Sequence, residues 1–175
     1  LRAWSSQLNS SKEMLSILEK KLLELPQGGT AVGSGINAHK QFAKCFVREI
    51  SKLSGSGYKF VVSKNFYHDL SAQDCSVQLS GELKNLALIL MKTSNDLRWM
   101  NSGPLAGLAE IELKALQPGS SIMPGKVNPV IPEAVAMASA DVIGNDVSIT
   151  VASQSGNFQL NVTVSYTHLT LPTSG

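Results

Sequence analysis

The sequence predicts an all-α protein built as a bundle of long helices. Apolar residues recur at helical spacing in four segments, and breaks rich in glycine or proline separate those segments. The alternating pattern that would predict strands is almost absent. With 43% hydrophobic and 16% charged residues among 175, the chain has the composition of a globular domain with a core of its own.

The first predicted helix spans Leu1 to Leu25 and is amphipathic. Lysine and glutamate residues separate its leucines, as expected for a helix with one solvent face. Pro26 and the pair Gly28-Gly29 end it. The four glycines between residues 28 and 35 predict a tight, irregular segment that lies close against other backbone. The apolar stripe consists of Leu8, Leu15, Leu18, Leu22 and Leu25.

A second helix is predicted from Asn37 to Leu53, where large apolar side chains recur every three or four residues. The glycine-serine run at residues 54–57 ends it, and residues 58–62 form a short extended piece. The stripe of this helix consists of Phe42, Phe46, Ile50 and Leu53.

The third predicted helix is the longest and runs from Ser71 to Met100, which is about 45 Å at 1.5 Å per residue. Residues 86–91 leave little polar surface, and a helix that is apolar nearly all round must be buried on nearly all sides. Because this chain offers few partners for such burial, we expect an oligomer whose helices pack across subunits. Within the helix, Asp96 and Arg98 are interpreted as an interhelical polar pair, and Lys92 as a residue of the same kind.

The fourth predicted helix follows Asn128-Pro129, with asparagine as the N-cap and proline at the first helical position. It frays near Ser155-Gly156. The third helix ends upstream, at residues 101–104. The apolar face of the fourth helix consists of Ile131, Val135, Ala138, Val142 and Ile149.

Charge and cysteine content exclude several classes of function. The net charge is +2 and the fifteen basic residues form no run, so we expect no nucleic-acid partner. The apolar stretch Leu86–Met91 is far too short to span a bilayer, so we expect no membrane. The presence of only two cysteines, Cys45 and Cys75, favours a reduced compartment, cytosolic or matrix. A single disulfide between them is the alternative that the sequence leaves open. The chain begins at Leu1 without a leader and is interpreted as an interior part of a longer protein.

The loop at residues 119–129, GSSIMPGKVNP, carries the predicted chemistry, and we call it the signature loop. Ser120 and Ser121 supply hydroxyls, Lys126 supplies a cation, and Asn128 supplies an amide donor and acceptor. The helix that follows adds unpaired N–H groups and partial positive charge. Together these groups predict an anion site with a hydroxyl beside it, suited to a carboxylate.

A serine acts as a general base only when its alkoxide is strongly stabilised. A shift of about five pKa units requires about 7 kcal/mol. One exposed lysine cannot supply that, so Lys126, the helix end and the exclusion of water must act together. We therefore expect the signature loop to close over the substrate.

The signature loop followed by Glu133 resembles the corresponding loop of the fumarase/aspartase superfamily. Residues 28–37, GGTAVGSGIN, are similar to the family's GGTAVGTGLN segment, and residues 1–162 are covered overall. The resemblance implies that the chain is part of that family's central helical domain. Further matches lie at residues 91–98, 102–110, 144–146 and 156–162.

This resemblance implies a role for each residue of the site. Ser120 would remove the C3 proton of malate, and Ser121, Lys126 and Asn128 would hold the substrate carboxylate and the aci-carboxylate intermediate, with the Val127 backbone nearby. Glu133, the second residue assigned to catalysis, would support the loop or a histidine from elsewhere. The implied reaction is reversible hydration of fumarate to (S)-malate in the tricarboxylic acid cycle. It needs no cofactor and no metal.

The family also implies a homotetramer whose subunits share active sites, in the cytoplasm or, in a eukaryote, the mitochondrial matrix. Its catalytic Thr-His segment and two substrate segments find no match here, so we expect the chain alone to be inactive. The remaining residues, 163–175, break the helical periodicity and resemble a translated sequencing adapter. We set this stretch, with His168, aside as a non-native tail; a genuine C-terminus stays open.

Two other functions stay open. Gly125 and Asn157-Phe158 resemble the residues found in fumarases at these positions. Residues 130–133, VIPE, resemble the corresponding segment of aspartate ammonia-lyases. A non-catalytic helical assembly protein is the third possibility. Leu105 stands where many members have arginine.

Four further polar residues receive structural interpretations. Thr30 and Asn37 are interpreted as local caps. His39 and His68 have no visible partner in the sequence and are interpreted as structural or surface residues.

Overall fold

The structure, a computed structural model, describes residues 1–55, 57–117, 122–123 and 125–161. The chain divides into two compact units, which are described separately. Unit 1 comprises Leu1–Ser11 with Leu83–Gly144, and unit 2 comprises Lys12–Glu82 with Asn145–Gly175. The candidate site lies in unit 1.

The described residues are mainly helical, which confirms the predicted all-α class. Two short strands add one small parallel pair. The elements are α1 (Arg2–Leu22), β1 (Glu24–Leu25), α2 (Phe42–Leu53), β2 (Val61–Val62), α3 (Phe66–Ser71), α4 (Asp74–Met100) and α5 (Val130–Ser153).

The end of the first helix differs from the prediction. Instead of continuing to Leu25, the chain becomes extended, and Glu24 and Leu25 pair in parallel with Val61 and Val62. The N–H of Val61 donates to the Leu23 carbonyl at 2.9 Å. Leu25 precedes a proline, whose ring disfavours the helical conformation of the residue before it. The helix therefore ends early, and the predicted extended piece at residues 58–62 supplies its strand partner.

The second helix begins at Phe42, five residues later than predicted. Asn37 has φ 62°, which lies in the left-handed region and cannot belong to a right-handed helix. It belongs instead to the turn-rich segment that follows Gly28. In that segment the Thr30 hydroxyl donates to the Ile36 carbonyl, which agrees with a local role for Thr30.

A short helix, α3, was not predicted, and α4 begins at Asp74 instead of Ser71. Asn65 caps α3 by accepting a hydrogen bond from the His68 N–H at 3.2 Å. At Ala72 the backbone is extended and separates the two helices. Six residues are too few to show a helical period, which explains why α3 escaped prediction.

A buried polar contact fixes the packing of α4 against α5 in unit 2. The Ser80 hydroxyl donates to the Asp146 carboxyl at 2.7 Å, and both residues are buried. A buried acceptor that loses a donor keeps the cost of its desolvation. This contact therefore favours one register of the two helices.

Replacing Ser80 by alanine is expected to lower the free energy of unfolding by about 1–3 kcal/mol, since Asp146 loses a buried donor. Urea denaturation of the complete protein measures the effect. Ser148→Ala, at an exposed position of α5, is the matched control and should stay within about 0.5 kcal/mol. Equal effects of the two substitutions would show that the Ser80–Asp146 contact does not stabilise the fold.

The long helices α4 and α5 expose large apolar side chains; the expectation of helix packing across subunits, made for the third predicted helix, stays a prediction. Leu88 on α4 is 50% exposed and Met137 on α5 is 69% exposed. By length and composition α5 could also cross a membrane, the one such helix among the described residues. A core helix of a bundle passes the same test, and α5 carries Glu133, Asp141 and the buried Asp146, which are costly at bilayer depth.

Candidate active site

The site begins where α4 ends. The helix stops at Met100, as predicted, and the chain turns through Asn101 and Ser102. The Ser102 carbonyl accepts the Ala109 N–H at 2.6 Å, and the Asn101 side chain accepts the Leu113 N–H at 2.7 Å. These bonds hold the non-helical segment after α4 against the end of the helix.

The described end of the signature loop leads directly into α5. Gly125 has φ 80°, a conformation that favours glycine, and the Lys126 N–H donates to the Met123 carbonyl at 3.2 Å. The Pro129 carbonyl accepts the Glu133 N–H at 3.1 Å, so α5 begins at Val130, one residue later than predicted. Proline therefore occupies the capping position, where its missing N–H costs no helical bond.

A shallow depression of about 450 Å³ lies between the end of α4 and the start of α5 in unit 1. It brings together two residues predicted for the site, Val127 and Glu133. Its other lining residues are Asn95, Arg98, Trp99, Asn101, Ser102, Gly103 and Pro129. The depression therefore combines a carboxylate, a guanidinium, amides and a hydroxyl near the first turn of α5.

Val127 also borders a second depression, of about 520 Å³, in the same unit. Its remaining lining residues are Glu112, Leu113, Lys114 and Ala115. Val127 is the residue that the two depressions share, whereas Lys126 and Asn128 are not among the lining residues of either.

Lys126 is exposed, and its ammonium group has no hydrogen-bonding or ion-pairing partner within the described part of the chain. A cation near a helix N-terminus attracts an anion by its own charge and by the partial charge of the helix. Asn128 is half-buried, and its carbonyl accepts the Val130 N–H at 2.9 Å. Both residues lie in the segment that leads into α5, and their assignment to a carboxylate ligand stays a prediction.

The two serines of the site lie outside the described residues. Ser120 and Ser121 keep the roles that the resemblance implies as predictions, and the same holds for the closing of the loop. Of the six predicted site residues, Lys126, Val127, Asn128 and Glu133 are described. They lie together at the start of α5.

The interpretation of Asp96 and Arg98 as an interhelical pair was wrong. Asp96 pairs with Lys92 one turn earlier on α4, and Arg98 donates to the Asn95 side chain at 3.3 Å. Residues three or four apart on a helix are neighbours, so these polar groups satisfy one another within α4.

Sequence reasoning missed the contribution of α4 to the depression. Asn95, Arg98 and Trp99 follow one another at spacings of three and one, close to the end of the helix. Residues three and four apart share a helix face, so a conspicuous cluster of amide, guanidinium and indole there was the available signal.

His68, interpreted as a structural or surface residue, is about half exposed and contacts two carboxylates that the sequence did not reveal. Its ring contacts Asp69 at 2.7 Å and Asp74 at 3.2 Å. The His39 ring accepts the Gln41 N–H at 3.1 Å, in agreement with a structural role.

Cys45 and Cys75 are both free, so the possible disulfide does not form here. Among the described residues no group of three His, Cys, Asp or Glu side chains is arranged to hold a metal.

Comparison with known proteins defines the class first. A family model described as lyase matches residues 1–144, and the chain belongs to this lyase family. Within it, the sequence is 57% identical over 162 residues to fumarate hydratase class II 2 of Pseudomonas aeruginosa. That alignment covers 93% of this chain and 35% of the relative. The predicted resemblance to class II fumarases is thereby confirmed.

Solved structures agree with the sequence match. The class II fumarase of Schistosoma mansoni aligns with a TM-score of 0.88 and 34% identity, over 93% of this chain and 37% of that chain. The fumarate lyase:delta crystallin from Brucella melitensis, bound to cobalt, aligns with a TM-score of 0.84 and 43% identity, over 91% and 34%. The chain thus has the helical fold of class II fumarases and spans about a third of the length of these relatives.

Proposed function

We propose that the complete protein containing this chain catalyses the reversible hydration of fumarate to (S)-malate. The observation that carries the proposal is the 57% identity to a class II fumarate hydratase over 162 residues, an alignment long enough to include most of the chain. The presence of Lys126 and Asn128 just before α5 supports it, because a dicarboxylate needs cationic and hydrogen-bonding groups. The activity is expected in the cytoplasm, or in the mitochondrial matrix of a eukaryote, within the tricarboxylic acid cycle.

In the direction of dehydration, Ser120 removes the C3 proton of malate. The electron pair of the broken C–H bond moves onto the adjacent carboxylate and forms an aci-carboxylate. That electron pair then forms the double bond as the C2–O bond breaks, and the C2 hydroxyl takes up a proton and leaves as water to give fumarate. Charge develops on the carboxylate, so donors arranged around it lower the barrier. Lys126, Ser121 and Asn128 supply those donors, together with the N-terminus of the 24-residue α5.

Val127 and Glu133 complete the proposed site. The backbone of Val127 lies beside the substrate carboxylate. Glu133 supports the loop or a histidine from another segment, and its place in the depression beside Arg98 leaves space for such a partner. No step in this proton-abstraction scheme uses a cofactor or a metal.

The exposed apolar side chains support an assembly in which helices pack across subunits. Leu83 and Leu88 on α4 and Val147 and Val151 on α5 are each more than 40% exposed. Burying such side chains contributes about 1.5–3 kcal/mol each. We propose a homotetramer in which subunits share the active sites.

Product analysis tests the proposed reaction. The complete protein is offered fumarate, malate or aspartate, and formation of malate from fumarate is the expected result. Ammonia released from aspartate would instead identify an aspartate ammonia-lyase, the function that the residues at 130–133 resemble. No turnover of any of the three substrates would favour a non-catalytic assembly protein. The 175-residue chain alone is expected to be inactive, and malate formation by it would contradict the shared-site proposal.

A further inference from the structure

His68 lies between two carboxylates that belong to different helices. Its Nδ1 is 2.7 Å from the Asp69 carboxylate on α3, and its Nε2 is 3.2 Å from the Asp74 carboxylate at the start of α4. The second oxygen of Asp69 accepts the Ser63 hydroxyl. The ring therefore bridges the two helices across the extended residue Ala72.

A neutral imidazole cannot satisfy this arrangement. It carries one N–H donor and one acceptor, whereas a protonated ring carries two donors. Each ring nitrogen faces a carboxylate oxygen. When the ring loses a proton, one nitrogen becomes an acceptor and faces an oxygen that is also an acceptor. Only the protonated ring bonds to both Asp69 and Asp74.

The neighbouring lysines Lys21 and Lys64 bond to partners other than Asp69 and Asp74. Lys21 on α1 donates to the Gln78 side chain at 2.9 Å, and Lys64 pairs with Glu24 on β1 at 3.3 Å. Cys75 lies close to the charges of Lys21, Asp69 and Glu24, but burial raises the pKa of its thiol, so it stays neutral at physiological pH. Within the described part of unit 2, His68 is the basic side chain whose ring nitrogens contact both carboxylates.

We propose that His68 is a proton-dependent clasp that holds α3 against the start of α4 when its ring is protonated and loosens the junction when the proton is lost. The junction also anchors the chain beyond α5. Asn161 donates its N–H to the Leu70 carbonyl at 3.1 Å and accepts the Gln73 side chain at 2.8 Å. Opening the clasp therefore loosens the contact between this junction and residue 161.

The direction of the pH effect follows from the contacts. The hydrogen bond with Asp69, and then that with Asp74, raises the pKa of His68 above its ordinary value of about 6.5. A group with a raised folded-state pKa stabilises the fold fully below its unfolded-state pKa and loses that contribution as the pH rises through the folded-state pKa. The clasp is thus closed below the ordinary histidine pKa of about 6.5 and opens as the pH rises through the raised folded-state pKa of His68.

Exchange at the histidine C2–H, followed by mass spectrometry on the complete protein, tests the protonation step. The midpoint for His68 should lie above that of a free histidine, and it should fall in Asp69→Asn and in Asp74→Asn. Asp74 is largely exposed, so its substitution keeps the fold. An unchanged midpoint in both variants would overturn the proposal.

Amide hydrogen exchange over residues 65–74 tests the opening. After correction for the intrinsic pH dependence of exchange, protection in the wild-type protein should decrease as the pH rises through the His68 midpoint. His68→Gln, which cannot titrate, should abolish that decrease, whereas His39→Gln should preserve it. The same pH profile in the wild-type protein and His68→Gln would overturn the clasp.

Discussion

Replacing Ser120 by alanine in the complete protein is expected to lower kcat for malate dehydration by about 10²–10⁴-fold, the usual contribution of a positioned general base. The substitution removes the only oxygen of the side chain and so removes the proton acceptor. Substrate binding should change little, because Lys126 and Asn128 remain. Steady-state kinetics measure both effects, and exchange of the malate C3 proton with deuterated solvent reports the proton abstraction itself.

Two further substitutions make this result specific. Ser16→Ala, on the exposed face of α1, is the matched control and should leave kcat and KM unchanged. Ser121→Ala should raise KM more than it lowers kcat, since Ser121 is assigned to the substrate carboxylate. If Ser120→Ala keeps kcat within about tenfold of the wild type, a general base at this position is contradicted.

Local sequence signals predicted that the long helices exist and predicted some of their ends. The stop after Met100 was predicted as observed. The first helix ends at Leu22 instead of Leu25, and α5 begins one residue after Pro129. The strand at Glu24–Leu25 was not predicted because its partner, Val61–Val62, lies more than thirty residues away and two residues show no period. Only the proline after Leu25 gave a local indication of this change.

The candidate site was predicted mainly from one continuous segment. Residues 126–128 and Glu133 lie within eight positions of one another around the start of α5, so one continuous sequence pattern could predict all four. The surroundings of Arg98 were misinterpreted because the sequence does not show which side of α4 faces the depression. His68 shows the same limit, since Asp74 bonds to it across a helix boundary that the sequence did not reveal.

Gly33→Ala is expected to lower the free energy of unfolding by about 4 kcal/mol, through backbone strain and overpacking. Gly33 has φ 108°, a conformation that side chains rarely adopt. A Cβ at this position would lie 2.5 Å from the Tyr67 nitrogen and 2.7 Å from its Cα, both backbone atoms of α3. The predicted close approach of residues 28–35 to other backbone is therefore confirmed, and chemical denaturation of the complete protein measures its energetic weight.

Two other glycines separate strain from overpacking. Gly35 has φ 73°, but its added Cβ would meet nothing closer than the Gly28 carbonyl at 3.6 Å, so Gly35→Ala should cost about 1–2 kcal/mol from strain alone. Gly81 lies within α4 with open space around it, so Gly81→Ala should stabilise by about 0.5–1 kcal/mol. Equal losses for Gly33→Ala and Gly35→Ala would mean that α3 can move away from Gly33. That movement would also separate His68 from Asp74, and the proton dependence of the clasp would then weaken in Gly33→Ala, because α3 carries the histidine ring.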